Sequence, residues 1–220
     1  MFNSTIINML LEGTVDTLYM TIFSTFFGYV IGLPLGIVLT VTDKEGIKPN
    51  TAVYKVLDVI VNIFRSIPFL ILLILVMPVT KAIVGKTYGS TATIVPLVIA
   101  AAPFIGRMVE SSLKEVYKGV IEAAQSMGAN TVTIIWKVLL AEARTSLLVG
   151  VTIVTGTIFG YSAMAGVIGG GGLGDIAIRY GYYRYETPIM LVTIVILVIL
   201  VQILQGVGMM LSKKFDRRRV

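Results

Sequence analysis

Residues 15–41 read VDTLYMTIFSTFFGYVIGLPLGIVLTV, with Asp16 the one charge among them. As a helix rising 1.5 Å per residue, the stretch is about 40 Å long, enough to cross roughly 30 Å of bilayer hydrocarbon. Four further stretches pass the same test: 56–84, 91–108, 146–168 and 188–211. The whole chain is 56% hydrophobic and 14% charged, too little charge for the surface of a soluble domain of 220 residues. The sequence therefore predicts an all-α membrane protein of five transmembrane helices, with residues 1–220 forming one transmembrane domain.

Topology follows from the basic residues. Segments 42–55, 109–145 and 212–220 hold Lys44, Lys48, Lys55, Lys114, Lys118, Lys137, Arg144, Lys213, Lys214, Arg217, Arg218 and Arg219, with Arg65 and Arg107 near the same ends of their spans. The other side has Lys81, Lys86, Arg179 and Arg184. This bias places the first set in the cytoplasm, the N-terminus outside and the C-terminus inside. It also reads the net charge of +6 as membrane topology, with no nucleic acid among the expected partners. Met1 to Leu11 contains no Lys or Arg, so the basic start of a secretory signal is missing.

Chemistry is narrowed by what is missing. The chain has no cysteine and no histidine, which excludes disulfides, thiolate nucleophiles, imidazole bases and the usual zinc sites. No catalytic residue, cofactor or metal is expected on it. No G-x-x-x-x-G-K-[ST] occurs, so if ATP drives this protein another polypeptide binds it. Gly169-x-Gly171-x-x-Gly174 matches a dinucleotide fingerprint by letter, but it follows a membrane span where the fingerprint needs a strand.

Within the spans, Gly28, Gly32 and Gly36 recur every fourth residue around Pro34. That spacing suits close packing of two helix backbones in lipid, although glycine is also simply common in membrane helices. Gly156 and Gly160 are a weaker case. Asp58, Asn62 and Arg65 form one polar stripe, either at the interface or facing the bundle interior; Arg65 snorkelling to headgroups is the plainer account. Ser66-Ile67-Pro68 is expected to cap and restart the helix, and Pro96 and Pro103 to kink the third span unless neighbours satisfy the freed carbonyls. Tyr180, Tyr182, Tyr183 and Tyr185 fit an interfacial belt or the contact surface of an external partner.

The charged segment, about 110–145, predicts a knob. A helix over 116–127 ends at Gly128, suited to a left-handed terminus, and Asn130 is placed to cap a second helix through Val138. Glu122 is expected on the exposed side, with Ala123 and Ala124 permitting close approach by a neighbour.

The pattern Glu122-Ala123-Ala124, Gly128, Val138-Leu139-Leu140 resembles the cytoplasmic loop of ABC importer permeases, which reads Glu-Ala-Ala, Gly, Ile-x-Leu-Pro. Val138 stands for the isoleucine and Ala141 for the proline, so the second helix is expected to run on into 142–144. Residues 160–166 (GYSAMAG), the glycines of 169–174 and Arg179-Tyr180-Gly181-Tyr182 are similar to the methionine-uptake branch of that family. The resemblance implies the type I importer permease fold, in the plasma membrane of a bacterium. It implies a homodimer, two copies of a separate ATPase carrying ATP and magnesium, and an extracytoplasmic, lipoprotein-type binding protein. It assigns ATPase coupling to Glu122, Ala123, Ala124, Ser126, Met127, Gly128 and Ala129, and the translocation pathway or gate to Tyr161, Ser162 and Met164. The alternatives are a permease of the same kind for another amino acid or osmolyte, or an ion-coupled secondary transporter. The sparse intramembrane charges and the lack of a visible repeat speak against the last.

Overall fold

The computed structural model describes residues 3–215 and, among them, contains helices, turns and no strand. Arg217, Arg218 and Arg219 lie outside the described residues, as does Met1. The first span is α1, Ser4–Thr42. It begins well before residue 15 because its first turns have something to pack on: Leu10 joins a buried cluster with Leu173, Ile176 and Ile189. Thr17, Thr21 and Thr40 donate their hydroxyls to the carbonyls four residues back, at 2.8–2.9 Å, which satisfies these buried polar groups within the helix.

The second span is not one helix. It comprises α2 (Thr51–Ser66), α3 (Phe69–Leu75) and α4 (Met77–Val84), and the axis turns by 104° between α2 and α3. The break falls at the expected Ile67-Pro68, but its cause is steric. Proline excludes its predecessor from the helical region, and Ile67 is extended at φ −79°, ψ 124°. Ser66 caps nothing; its hydroxyl donates to the Asn62 carbonyl inside α2 at 2.7 Å.

The third span, α5 (Ser90–Lys114), passes through Pro96 and Pro103 without interruption. The charged segment then forms α6 (Lys118–Ser126), α7 (Thr131–Ile134), a π-helical turn (Ile135–Leu139) and α8 (Leu140–Glu142). The fourth span is α9 (Arg144–Ala165); α10 (Gly172–Ile176) and a second π turn (Ala177–Tyr182) lead to α11 (Thr187–Phe215). Among the described residues, four helices are long and apolar enough to span a membrane, five if the bent pair α2–α3 is counted as one span.

The most extensive packing is between α1 and α5. Gly28, Gly32 and Gly36 face α5 along one line. A Cβ at Gly32 would sit 2.6 Å from the Ile105 Cβ, and one at Gly36 would sit 2.6 Å from the Val109 Cβ, both inside contact distance. Gly106 answers from α5, facing the Leu35 side chain. Around this seam lies a core of Met20, Leu97, Ala101, Ile105, Val109, Val154 and Ile158. Phe23, Phe26, Val30 and Ile31 point away from it and are exposed, as in a chain whose solvent is lipid.

At the end opposite the knob, the 169–174 glycines form a tie between spans. Gly169, Gly171 and Gly172 have φ of 77°, 82° and 74°, a region that costs other residues. The Leu173 amide donates to the Thr17 hydroxyl at 2.9 Å, and the Thr93 hydroxyl donates to the Gly170 carbonyl at 3.2 Å. The run fastens α10 to α1 and α5.

Candidate functional site

The knob is built by its own backbone. The α6 helix closes as the Met127 amide donates to the Ala123 carbonyl at 3.1 Å and the Gly128 amide donates to the Gln125 carbonyl at 2.9 Å. Gly128 then turns left-handed at φ 79°, and the Ala129 amide returns to the Ala124 carbonyl at 3.0 Å. The Asn130 side chain caps α7 by accepting the Thr133 amide at 2.8 Å. From there the chain stays helical to Glu142, and a single turn residue, Ala143, separates it from α9. With alanine at 141, the second helix runs almost into the span.

Glu122, Ala123, Ser126, Met127 and Gly128 are exposed, and Ala129 is half-buried. Ala124 is different: it is buried against the chain's own fold, so close approach from outside falls to Ala123. Met127 is 81% exposed at the tip, and Tyr117, Val132 and Trp136 are also largely exposed on the knob. Large apolar side chains left exposed on a charged element mark a contact surface.

Ion pairs pin the knob to its base. Lys118 on α6 pairs with Glu45 in the α1–α2 loop, and Lys114 pairs with Asp43 in the same loop. Glu45 and Asp43 are thereby held below the usual carboxylate range, chiefly by the hydrogen bonds from Lys118 and Lys114, and Lys118 is raised by its bond to Glu45. Between loop and knob lies a cavity of about 470 Å³, with Lys44, Ile47, Ile121 and Gln125 in its walls.

Deeper, the polar stripe of α2 meets α5. Arg107 pairs with Asp58, donates to the Asn62 side-chain oxygen at 3.0 Å and to Glu110 at 2.7 Å. Asp58, half-buried, and Asn62, exposed, therefore lie on the side of α2 that meets α5. Arg65, the third member, lies beyond this network and lines a second cavity of about 210 Å³ at the α2–α3 bend. Glu110, which the sequence reading passed over, is the centre of the cluster, and it is 2% exposed.

The three residues assigned to the pathway differ in their setting. The half-buried Tyr161 ring stacks on Phe69 at the start of α3, with centroids 4.4 Å apart and planes within 1°. Ser162 is buried and donates to the Phe159 carbonyl at 2.7 Å, an internal bond that occupies its proton. Met164 is half exposed on α9. The structure thus joins Tyr161 to the bend and the 210 Å³ cavity, while Ser162 faces inward.

Comparison with known proteins agrees with this geometry. The model for the binding-protein-dependent transport system inner membrane component matches residues 32–218. A probable D-methionine transport system permease protein, MetI of Vibrio cholerae, is 52% identical over 96% of this chain and 94% of its own length. The methionine import system permease protein MetP of Bacillus subtilis is 45% identical over 94% and 93%. A solved structure of the MetNI methionine ABC transporter in an inward-facing conformation superposes with a TM-score of 0.97 at 47% identity, covering 98% of this chain and all of that one. The chain belongs to the family of binding-protein-dependent transport system inner membrane components.

Proposed function

We propose that this chain is the membrane permease subunit of an ATP-driven importer for methionine, working as a homodimer in a bacterial plasma membrane. The knob end faces the cytoplasm, as the basic bias requires. Glu122, Ala123, Ser126, Met127, Gly128 and Ala129 meet a separate ATPase, with Ala124 supporting them from beneath, and a binding protein delivers substrate on the opposite face. The observation that carries this reading is the knob itself. It is closed by a left-handed glycine, pinned to the α1–α2 loop by the Lys118–Glu45 ion pair, and tipped with an apolar side chain that its own fold leaves uncovered.

The mechanism follows from how the knob is tied to the spans. When the ATPase subunits change their separation, the knob moves as a unit because Gly128 and Asn130 fix its shape. The motion passes through Lys114 and Glu110 to the foot of α2, and along α2 to the bend at Ile67-Pro68. There Phe69 stacks on Tyr161, so a shift of α3 changes the surroundings of the pathway segment 161–164. Substrate biases this movement only through different affinity for the two states. The membrane part acts as a conduit with a weak transient site, and the binding protein carries most of the selectivity.

The test is reconstitution of the permease in vesicles with its ATPase and binding protein. Uptake of methionine that requires ATP and all three components is the expected result. Uptake driven by an ion gradient without the ATPase would overturn the reading.

A further inference from the structure

Arg65 is an arginine inside a membrane protein with no ion-pair partner among the described residues. The acid nearest in its stripe, Asp58, is taken by Arg107 and Asn62. Its depth is fixed by what shares its cavity. Ala100 and Phe104 lie in the knob-side half of the third span, about 6–12 Å from its end at Met108 at 1.5 Å per residue. Arg65 is exposed on the single chain, and its side chain stands in the wall of this cavity. Intramembrane charges face a bundle interior or a wet cavity and mark substrate pathways. The cavity beside Arg65 is of that kind: about 210 Å³, walled by Phe64, Phe69, Phe104 and Tyr161, with Arg65 its one charged member.

We propose that Arg65 and these rings form a transient substrate subsite for a zwitterionic amino acid with an apolar side chain, Arg65 taking the carboxylate. A guanidinium presents paired donors that match a carboxylate, and the free one here has no competing acid. Ring faces suit a substrate ammonium, and ring edges suit a thioether. The volume equals that of about seven waters, room for a single amino acid. Tyr161 ties the subsite to the gate segment, and Phe69 ties it to the bend that the knob moves. This assignment rests on the importer reading above and adds a named contact to it.

The experiment measures equilibrium binding of radiolabelled methionine to the permease–ATPase complex in nanodiscs, without the binding protein. Arg65→Met is expected to weaken binding about ten- to hundred-fold, the range for losing hydrogen bonds to a charged group, and Arg65→Lys to restore part of it. Methioninamide, which lacks the carboxylate, is expected to compete poorly against the unaltered complex. Co-purification of the ATPase shows that each variant is assembled; if Arg65→Met does not assemble, the methioninamide competition decides alone. Unchanged methionine affinity in assembled Arg65→Met, no methionine binding by the unaltered complex, or methioninamide competing as well as methionine would each overturn the subsite. If the unaltered complex with its binding protein takes up no methionine, the importer reading itself falls.

Discussion

The Tyr54 hydroxyl donates a 3.1 Å hydrogen bond to the buried carboxylate of Glu110, joining the foot of α2 to the knob end of α5. The same carboxylate accepts from Arg107 at 2.7 Å and pairs with Lys114 at 2.8 Å. One acid therefore bridges two cations of α5 and ties α5 to α2. Glu110→Ala leaves Arg107 with Asp58 and Lys114 with Asp43, and about 2 kcal/mol of stability is expected to go, the range for hydrogen bonds to a charged group. Thermal melting of the solubilised protein checks this. Glu110→Gln retains the Tyr54 bond and is expected to fall between.

The glycine line on α1 gives a second prediction with its own control. Gly32→Val pushes a branched side chain into Ile105 and the Ala102 carbonyl, where even a Cβ lies at 2.6–2.7 Å. Overpacking of that kind costs about 1–3 kcal/mol, and more where backbone is the obstacle. Gly160→Ala on α9 meets nothing within 4 Å and is expected to melt with the unaltered protein. Equal loss in both would mean that the spacing matters for helix flexibility and not for the α1–α5 approach.

At Gly128 the obstacle is conformational alone, since a Cβ there meets nothing within 4 Å at φ 79°. Gly128→Val forces a β-branched residue into the left-handed region, at about 1–2 kcal/mol or more, so the turn opens and the knob loses its shape. ATP hydrolysis is then expected to continue with reduced methionine uptake per ATP. Gly128→Asn, which tolerates that backbone, is expected to keep most of the coupling. Normal uptake in the valine variant would show that the turn does not transmit force.

The spans and the knob were legible in the sequence because each depends on local chemistry. Length and apolarity decide a span, and Gly128 and Asn130 carry their turn in their own residues. The 104° bend was not legible: hydropathy runs on through residues 56–84, and Pro68 marks a break without giving the direction the chain takes after it. Glu110 was missed for a related reason. It stands at the edge of a charged segment and reads as solvated, and its hydrogen-bond partner Tyr54 is 56 residues away. Ala124 shows the same limit within the knob, where the return of the chain to Ala129 covers one of two adjacent alanines and leaves the other open.

The last prediction concerns pH. Glu45 and Asp43 have folded values below the ordinary carboxylate range, so their contribution is present above their unfolded values and is lost as pH falls through the folded ones. Lys118 has a folded value above the ordinary lysine, so its contribution is full below its unfolded value and is lost as pH rises through the folded one. Both pins therefore hold throughout the window between ordinary Glu and Lys, about 4.3 to 10.4. The chain has no histidine or cysteine to titrate inside it. Hydrogen-exchange protection of the α6 amides, corrected for intrinsic rate, is expected to be flat between about pH 6 and 8 and to fall only well outside that window. Lys118→Met should remove the part of the acid dependence that Glu45 contributes and leave the part from Asp43 and Lys114. A transition near neutrality in the isolated permease would mean that some group other than these pins controls the knob.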